Sequence, residues 1–458
     1  PLAESALGRI SSILEVEFDG QMSIYLVPRL FWQGGAAYGE KVQLISYLDR
    51  NYTGIETWSY FTHEGTHALA QDLLQPKEED AGPDGVLVEG LAVWASGGHY
   101  RQEPLDTWAA VVARSDSYVP LADLRSGPFY DFQHELSYLE AASFVKFLVE
   151  EYGLDRLKEL YGQATGDAAH DEELVQSLYG QGYAELEADW LDYLDGLEPT
   201  PEQGETWDLT VRSFDLMRRY ETELDPDARL LPPNPPPEWI TDTLVVFLHR
   251  LETPANVALE TALIAVQDRL YSGDLRGAAA LLEDVEATLD AGTTSGGLNR
   301  PSLQARQALM ELVAAQDRAI LRADAAAYLD TVDPALRHRS GQALQFRSGQ
   351  ALQFRSGQAS TLAQESAVDS LLGPPLTAFR QEVVRLDVAG DGASAEGMVL
   401  VHAQLAEGER YTRSRALADD GQLYAVTFTN VAGRWFMTSR RLTDPTLAPL
   451  PPDFERVP

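Results

Sequence analysis

Residues 58–70, WSYFTHEGTHALA, decide the fold of the N-terminal part of this chain. Their apolar positions recur at helical spacing, so the stretch is predicted to form a helix. Residues i and i+4 lie one above the other on a helix, so His63 and His67 project from one face and can hold a single metal ion. Glu64 lies about 100° further round the same turn, where it can reach a water molecule rather than the metal.

The spacing of the two histidines is typical of the His-Glu-x-x-His motif of zinc peptidases. The alternative is a structural pair of buried histidines. Catalytic zinc usually has three protein ligands and an open fourth position. The residues after His67 lack the Gly and the His of the long metzincin signature, so a third ligand must come from elsewhere in the chain.

A second helix is predicted over Val88–Gly97, after the turn Gly82-Pro83-Asp84-Gly85. Glu89 would face inward from the first turn of this helix. A His-Glu-x-x-His helix, a loop and then Glu-Gly-x-Ala on a following helix resemble the gluzincin, or peptidase MA-like, family of zinc metallopeptidases. The resemblance covers residues 1 to about 195.

This resemblance implies one zinc ion per chain, with His63, His67 and Glu89 as its ligands and Glu64 as general base. Such a zinc ion lowers the pKa of its water and polarises the scissile carbonyl, and Glu64 takes the proton and then hands it to the leaving amine. The chemistry needs no Ser or Cys nucleophile, which agrees with a chain that contains no cysteine.

The segment Gln133–Gly153 looks like the helix that follows the metal helices in peptidase MA-like proteins. The resemblance implies a Tyr or His there that hydrogen-bonds the developing oxyanion, and the matching positions are Tyr138 and His134. The alternative for each is a packed or surface aromatic residue. His99 is a reserve metal ligand, with a plain surface position as its alternative.

Size, charge and cysteine content limit the classes of protein and partner. A chain of 458 residues with 44% hydrophobic content is expected to form two or three domains with cores. A net charge of −36 argues against nucleic acid or anionic lipid as partner and favours basic peptides or cations. The absence of cysteine rules out disulfides and Cys-ligated zinc.

Three features of the sequence bear on the cellular location of the protein. No stretch approaches the ~20 apolar residues of a membrane helix. The first residue is Pro1 and this span contains no signal peptide. Because related proteins are often exported, we expect an extracellular or cell-envelope location in a bacterium.

The predicted fold class is α+β, with a zincin-like peptidase domain over residues 1–198. Strands are predicted at 22–28 and 41–48, joined through glycine-rich turns, and the resemblance implies that an edge strand, here 41–48, pairs with the substrate backbone. Further helices of this domain are predicted at 137–152, 154–163, 171–179 and 183–196.

The rest of the chain is predicted to contain a Pro-rich linker, a helical hairpin, a second α+β domain and a Pro-rich tail, at 199–240, 241–298, 299–445 and 446–458 respectively. An eight-residue unit at 339–346 recurs at 347–354 and is interpreted as a loop or a helix end without chemistry. Helices at 302–332 followed by five strands forming an antiparallel meander are similar to the nuclear transport factor 2-like fold. These strands are predicted at 379–388, 393–405, 411–418, 422–431 and 434–440.

The leading functional hypothesis is a zinc-dependent peptidase acting on peptides or proteins, with 299–445 binding a protein partner or positioning the enzyme. A catalytically silent metal-containing binding module is the first alternative, and a surface interaction protein that works through its C-terminal half is the second. The sequence upstream of the metal helix shows no Glu-bearing motif that would anchor a free amine, which favours an endopeptidase.

Overall fold

A computed structural model gives the fold as two compact units, one within residues 1–215 and one within residues 216–445. The structure describes residues 2–17, 21–27, 35–38, 42–46, 57–73, 82–98, 104–127, 129, 134–224, 253–292, 298–322, 324–335, 376–405 and 423–443. Together the units confirm the α+β class.

The first unit contains a three-stranded mixed sheet formed by β1 (Ser23–Val27), β2 (Gly35–Tyr38) and β3 (Val42–Ser46). β3 lies in the middle, parallel to β1 and antiparallel to β2. The expectation that 41–48 is the edge strand was therefore wrong. Gly34-Gly35 reads as a turn signal, but Gly35 begins a strand that pairs with the second side of β3.

Two helices pack beside this sheet. α1 (Leu2–Leu14), which the sequence analysis did not predict, lies against α2 (Thr57–Ala70), the helix that carries the two histidines. Gly65 makes this packing possible, because a Cβ at Gly65 would lie 2.7 Å from Cδ1 of Ile10. The helix cost of about 1 kcal/mol for a glycine at this position is thus offset by close packing.

α3 (Gly85–Ser96) carries Glu89 and begins three residues earlier than predicted. Asp84 is its N-cap, because its side chain accepts a hydrogen bond from the Leu87 N–H at 3.2 Å. Gly97 ends the helix with a φ of 82°, a left-handed conformation that glycine adopts without strain.

The helices described next in the chain are α4 (Leu105–Ala113), α5 (Leu121–Ser126), α6 (His134–Tyr152), α7 (Leu154–Gln163), α8 (Ala168–Tyr179) and α9 (Tyr183–Asp195). The last four follow the sequence prediction closely, whereas α4 and α5 were not predicted. The backbones of α3 and α6 approach each other closely at Gly90, because a Cβ at this glycine would lie 2.6 Å from the carbonyl oxygen of Ala141. α6 also joins α4 and α9 through the Asp106 carboxylate, which accepts hydrogen bonds from Ser143 and from Tyr193.

α10 (Pro201–Leu224) occupies the first part of the segment predicted as an irregular linker. A proline is tolerated in the first turn of a helix because its missing N–H has no partner there, so Pro201 is compatible with a helix start. The prolines of 232–237 lie outside the described residues. The domain limits given by the sequence stay a prediction.

The second unit begins with a helical hairpin formed by α11 (Pro254–Ser272) and α12 (Leu275–Asp290). Thr253 caps the first helix, Gly273 ends it with a φ of 77°, and Asp274 caps the second. The sequence predicted a helical hairpin within residues 241–298. α13 (Pro301–Leu321) and α14 (Ala325–Asp330) follow.

A four-stranded antiparallel sheet completes this unit in the order β4 (Leu376–Val388), β5 (Ser394–Leu405), β6 (Leu423–Val431) and β7 (Arg434–Thr443). α13 packs against β4 and, less extensively, against β7. The predicted strand at 411–418 and the repeat at 339–354 lie outside the described residues. The similarity to the nuclear transport factor 2-like fold stays a prediction.

No helix within the described ranges combines the length and the apolar character that crossing a bilayer requires.

Candidate metal centre

Three side chains from two helices converge in the first unit. Nε2 of His63 and Nε2 of His67 lie 3.1 Å apart, as expected for residues one turn apart on α2. Oε2 of Glu89 on α3 lies 3.3 Å from Nε2 of His63 and 3.4 Å from Nε2 of His67. The structure therefore brings together the three residues that the sequence predicted as metal ligands.

The dimensions of this triangle fit a small divalent cation. Zinc binds imidazole nitrogen and carboxylate oxygen at about 2.0–2.2 Å in tetrahedral geometry, which separates neighbouring ligand atoms by roughly 3.3–3.6 Å. The sides of 3.1, 3.3 and 3.4 Å are close to that range. Two imidazoles and one carboxylate are also the ligand set of many catalytic zinc sites. The residues present thus fit the metal that the motif implies.

The side chains of the three candidate ligands are mostly buried but keep some contact with solvent. His63 and His67 are 13% and 18% exposed, whereas Glu89 is 7% exposed. Burial alone would lower the pKa of His67, but the negative charge of Glu89 and a hydrogen bond to it raise that pKa to about 9. Burial alone would raise the pKa of Glu89, but the two histidines hold it well below its usual range. A proton and a metal ion therefore compete for the same nitrogen of His67.

Glu64 lies beside the triangle and is buried on α2. Burial raises the pKa of its carboxyl group, His63 and His67 lower it, and Glu89 raises it again, so that the net shift is upward. A carboxylate with a raised pKa binds a proton more readily, as a general base requires. Glu64 is not part of the ligand triangle, in agreement with its predicted place next to the metal rather than on it.

The backbone of β2 passes directly in front of Glu64. A Cβ at Gly35 would lie 2.5 Å from Oε1 of Glu64, so a side chain at this position would force the carboxylate of Glu64 to move. The sequence analysis assigned Gly34-Gly35 to a connection and missed this contact. The sequence Gly-Ala-Ala-Tyr of β2 shows no apolar–polar alternation that would indicate a strand, so the only signal was the glycine itself, which in a strand can mark close approach of another group.

Tyr138 on α6 lies next to the ligands. Its ring is nearly parallel to that of His63, with an interplanar angle of 19° and a centroid separation of 6.2 Å. The ring also contacts Phe129, at a centroid separation of 5.5 Å. Tyr138 is thus buried at the wall of the centre, where packing and a catalytic role are both compatible with its position.

Two further sequence candidates, His134 and His99, lie partly or wholly outside the described part of the structure. His134 is the first residue of α6, and its side chain lies outside the described part of the structure. His99 also lies outside the described residues. Tyr161 on α7 was not singled out from the sequence. Burial raises its pKa, and the charge of Glu89 raises it further, which places the phenol within the electrostatic reach of the ligands.

Two polar residues fix the start of the helix that carries Glu89. Asp84, the N-cap of α3, accepts a charged hydrogen bond from Nε of Arg125 on α5 at 2.7 Å. The guanidinium of Arg125 lies over the ring of Tyr183, with Cζ 3.3 Å from its centroid. These contacts link α3 to α5 and α9, and they hold the first turn of α3 in place.

Comparison with known proteins agrees with this geometry. Residues 13–196 match the Peptidase MA superfamily. This part of the chain is similar to peptidase MA-like domains. The match covers the three ligand candidates and Glu64, and it indicates a peptidase. Comparisons with curated proteins and with solved structures gave no match.

Proposed function

We propose that the N-terminal unit is a zinc-dependent peptidase of the gluzincin type, which hydrolyses peptide bonds in peptides or proteins. The observation that carries this proposal is the triangle formed by His63, His67 and Glu89, whose sides agree with tetrahedral zinc coordination. The peptidase MA match of the surrounding domain supports it independently.

His63, His67 and Glu89 would hold one zinc ion per chain. When bound, zinc polarises a peptide carbonyl and lowers the pKa of water. The protein's contribution is to fix the ligands: the two imidazoles share one helix face, and Glu89 is brought to them by the close packing of α3 on α6.

Glu64 is proposed to act as general base and then as general acid. Its carboxylate takes a proton from the attacking water and delivers it to the nitrogen of the leaving amine. The raised pKa of this buried carboxyl group favours both steps, because a group that takes up and releases a proton works best when its pKa lies near the working pH. Gly35 keeps one side of the carboxylate in contact with backbone, which limits its movement.

Tyr138 is the proposed donor to the oxyanion. It lies beside His63, and a phenol can donate a hydrogen bond to the oxygen that becomes negative when water adds to the carbonyl. His134 stays the second candidate because it lies one helical turn earlier on α6.

β2 is the proposed substrate strand, in place of the segment 41–48. It is an outer strand of the described sheet, and its first residue contacts the proposed general base. An extended peptide that pairs with such a strand is held by backbone hydrogen bonds and is placed beside Glu64. The sequence of β2, Gly-Ala-Ala-Tyr, contains no acidic residue that would bind a free amine, which supports an endopeptidase.

The decisive experiment combines metal analysis with digestion of a peptide library. We expect close to one zinc per chain, cleavage within peptides rather than at their ends, and a loss of cleavage in Glu64→Gln with zinc retained. Glu151→Gln, which changes an exposed glutamate of α6, serves as the matched control and is expected to cleave normally. A zinc-containing native protein that cleaves no library peptide would instead support the silent binding module.

The part played by the second unit in the peptidase stays a prediction, as does export from a bacterial cell. A pull-down with the native full chain and with Glu64→Gln tests the first of these: a partner retained by both proteins would assign binding to a surface outside the catalytic carboxylate.

A further inference from the structure

One phenylalanine contacts both the helix that supplies Glu89 and the tyrosine proposed as donor to the oxyanion. Phe129 follows α5 in the chain and is 4% exposed. Its ring contacts that of Tyr138 on α6, with the two centroids 5.5 Å apart and an angle of 42° between the ring planes. This separation lies within the range of favourable aromatic pairs. Phe129 is therefore packed directly on the proposed donor.

Phe129 also packs on the first residue of α3. A Cβ at Gly85 would lie 2.6 Å from Cγ of Phe129 and 2.7 Å from its Cβ, which is too close for two carbon atoms that are not bonded. Glycine is a poor helix former, so its presence at the start of α3 agrees with a role in making room for this ring. A side chain at Gly85 would displace either the ring of Phe129 or α3 itself.

Gly85 and Glu89 lie one helical turn apart on α3. Residues i and i+4 lie one above the other on a helix, so Phe129 packs on the face of α3 that carries the third candidate ligand. Asp84, the residue before Gly85, accepts a hydrogen bond from Nε of Arg125 on α5. The segment from α5 to Phe129 thus contacts the start of α3 at two neighbouring positions.

Tyr138 contacts a second ring, that of His63. The two rings are nearly parallel, at an interplanar angle of 19° and a centroid separation of 6.2 Å. One neighbour of Tyr138 is therefore a candidate metal ligand and the other is Phe129. A buried ring with two such neighbours has few positions available, because a displaced ring would overlap with one neighbour or leave empty space beside the other.

The orientation of Tyr138 matters for the proposed mechanism. A donor to the oxyanion acts through its position, and a misplacement of about 1 Å removes much of its effect. The packing of α6 on α3 fixes the backbone of Tyr138, but the side chain can still turn about its two torsions. Contact with Phe129 limits this rotation.

Phe147, also on α6, is a comparable phenylalanine outside the proposed centre. It is 6% exposed, and its ring lies 6.2 Å from that of Tyr152 and 6.0 Å from that of Tyr193. In burial and in aromatic contacts it resembles Phe129, but neither of its tyrosine neighbours has a place in the proposed mechanism. Phe147 therefore provides a control for the loss of a buried ring.

We propose that Phe129 is a positioning residue of the peptidase centre, which holds the ring of Tyr138 where its hydroxyl can donate to the oxyanion. The inference rests on the proposed function, because it takes Tyr138 as the donor. Phe129 acts through Tyr138 and is not itself a catalytic residue. Gly85 contributes by leaving the space that the ring of Phe129 occupies.

Steady-state kinetics of Phe129→Leu tests the proposal, since this variant keeps an apolar side chain but removes the flat ring. We expect kcat for a library peptide to fall by about tenfold, because Tyr138 is less well oriented. KM should change by less than about twofold, because the oxyanion forms only after the substrate has bound. Zinc content should be unchanged. Phe147→Leu is the matched control and should leave kcat unchanged.

A double-mutant cycle separates the positioning of Tyr138 from a general loss of packing. Tyr138→Phe keeps the ring and removes the hydroxyl, and we expect it to lower kcat by about a hundredfold, as for the loss of one oxyanion donor. In this background Phe129→Leu should lower kcat by less than about twofold, because the group that it positions is gone. Equal effects of Phe129→Leu in the two backgrounds would overturn the proposal.

Gly85→Ala displaces the ring of Phe129 without changing it, and it replaces Phe129→Leu if that variant does not fold. We expect a similar fall in kcat, which should again be absent in the Tyr138→Phe background. Gly82→Ala is its matched control, because a Cβ at Gly82 would meet no atom within 4 Å.

Fluorine NMR of the full chain labelled with 3-fluorotyrosine reports on Tyr138 without any need for activity. The signal of Tyr138 is the one that is absent from Tyr138→Phe. We expect Phe129→Leu to shift this signal and Phe147→Leu to leave it in place. An unshifted signal in Phe129→Leu would show that Phe129 does not hold the ring, and it would overturn the proposal.

Failure of this inference and failure of the proposed function give different results. A native chain that cleaves no library peptide rejects the peptidase, and the catalytic role of Tyr138 falls with it. A native chain that cleaves, but whose kcat is unchanged in Phe129→Leu, rejects the role of Phe129 alone. Parallel loss of zinc and of kcat in Phe129→Leu would also reject this role, because the effect would then pass through Glu89.

Discussion

Gly35 of β2 is in contact with the carboxylate of Glu64, since a Cβ at this glycine would lie 2.5 Å from Oε1 and 3.0 Å from Cδ. Two residues that are 29 positions apart in the chain are thus interdependent. The outer strand comes this close to the proposed general base only because its first residue has no side chain.

Gly35→Ala is expected to displace Glu64 and to lower kcat by about tenfold to a hundredfold, a range typical of displacements of about 1 Å in a catalytic group. Zinc content should not change, because the three atoms nearest to a Cβ at Gly35 all belong to Glu64 and not to a proposed ligand. Steady-state kinetics and metal analysis on the same preparation check both points.

Gly8→Ala is the matched control for this substitution. Gly8 lies in α1, and a Cβ there would meet no atom within 4 Å. The helix should gain up to about 1 kcal/mol from the substitution, and kcat should stay unchanged. An unaltered kcat in Gly35→Ala would show that Glu64 has room to move and that the contact is not functional.

Gly90→Ala is expected to weaken zinc binding by separating α3 from α6. A Cβ at Gly90 would lie 2.6 Å from the carbonyl oxygen of Ala141 and 2.8 Å from Cγ2 of Val145, and the backbone carbonyl cannot rotate away. Overpacking of this kind costs about 1–3 kcal/mol in the free energy of unfolding. Because Glu89 precedes Gly90, its carboxylate should move away from the histidines, which zinc titration with a chelator would detect.

Gly204→Ala provides the comparison for Gly90→Ala. This glycine lies within α10, where a Cβ would meet no atom within 4 Å. Denaturant unfolding should show a loss of stability for Gly90→Ala and none for Gly204→Ala. Equal zinc affinity in the two variants would contradict the proposed dependence of Glu89 on the close packing.

Zinc binding is expected to release about one proton per chain at pH 7. The pKa of His67 is raised to about 9 by Glu89, so the metal-free protein carries a proton on His67 at pH 7, and that proton must leave when the nitrogen binds zinc. Glu89 is already ionised, because its pKa is well below the usual range. Calorimetry in buffers with different ionisation enthalpies measures the number of protons released.

The apparent affinity for zinc should accordingly fall by about tenfold for each pH unit between pH 8 and pH 6. His67→Ala removes the competing proton together with one ligand, so its weaker binding should depend less on pH. Proton release close to zero at pH 7 would contradict the raised pKa of His67 in the metal-free protein.

Much of the metal centre could be predicted from the sequence because its determinants are local. His63 and His67 share a face through helical periodicity alone, and Glu89 follows on a helix whose N-cap, Asp84, and C-cap, Gly97, are both visible in the sequence. The order of secondary structure around them is equally local, which explains the agreement for α6 to α9.

The parts that could not be predicted depend on contacts between distant residues. From the sequence alone, Gly35 was interpreted as part of a turn. Only the pairing of β2 with β3 shows that it begins a strand beside Glu64. α1, which packs on α2, was not predicted. Pro201 was interpreted as part of a linker, but it begins a helix.

Asp84 is expected to stabilise the first unit through two separable interactions. Asp84→Asn keeps a side-chain oxygen that can cap α3 but loses the charge that pairs with Arg125, whereas Asp84→Ala loses both. We expect Asp84→Ala to lower the free energy of unfolding by about 1 kcal/mol more than Asp84→Asn, which is the usual contribution of an N-cap. Denaturant unfolding of the two variants measures this difference, and equal values would show that the cap contributes nothing.

Asp317 is expected to make the second unit less stable as the pH rises. Burial raises its pKa from 3.8 to about 7 in the folded protein, so between these values the folded state holds a proton that the unfolded state has lost. Its contribution to stability is therefore complete below about pH 4 and is lost as the pH rises through 7, with a slope of up to about 1.4 kcal/mol per pH unit for one proton.

Asp317→Asn should remove this dependence, because an amide does not titrate and its oxygen can still accept a hydrogen bond from Gln381. The stability of the native chain relative to the variant, measured by denaturant unfolding between pH 5 and pH 8, should decrease as the pH rises. Asp330→Asn, at the exposed last residue of α14, serves as the reference substitution. A difference between the native chain and Asp317→Asn that does not vary with pH would contradict the raised pKa of Asp317.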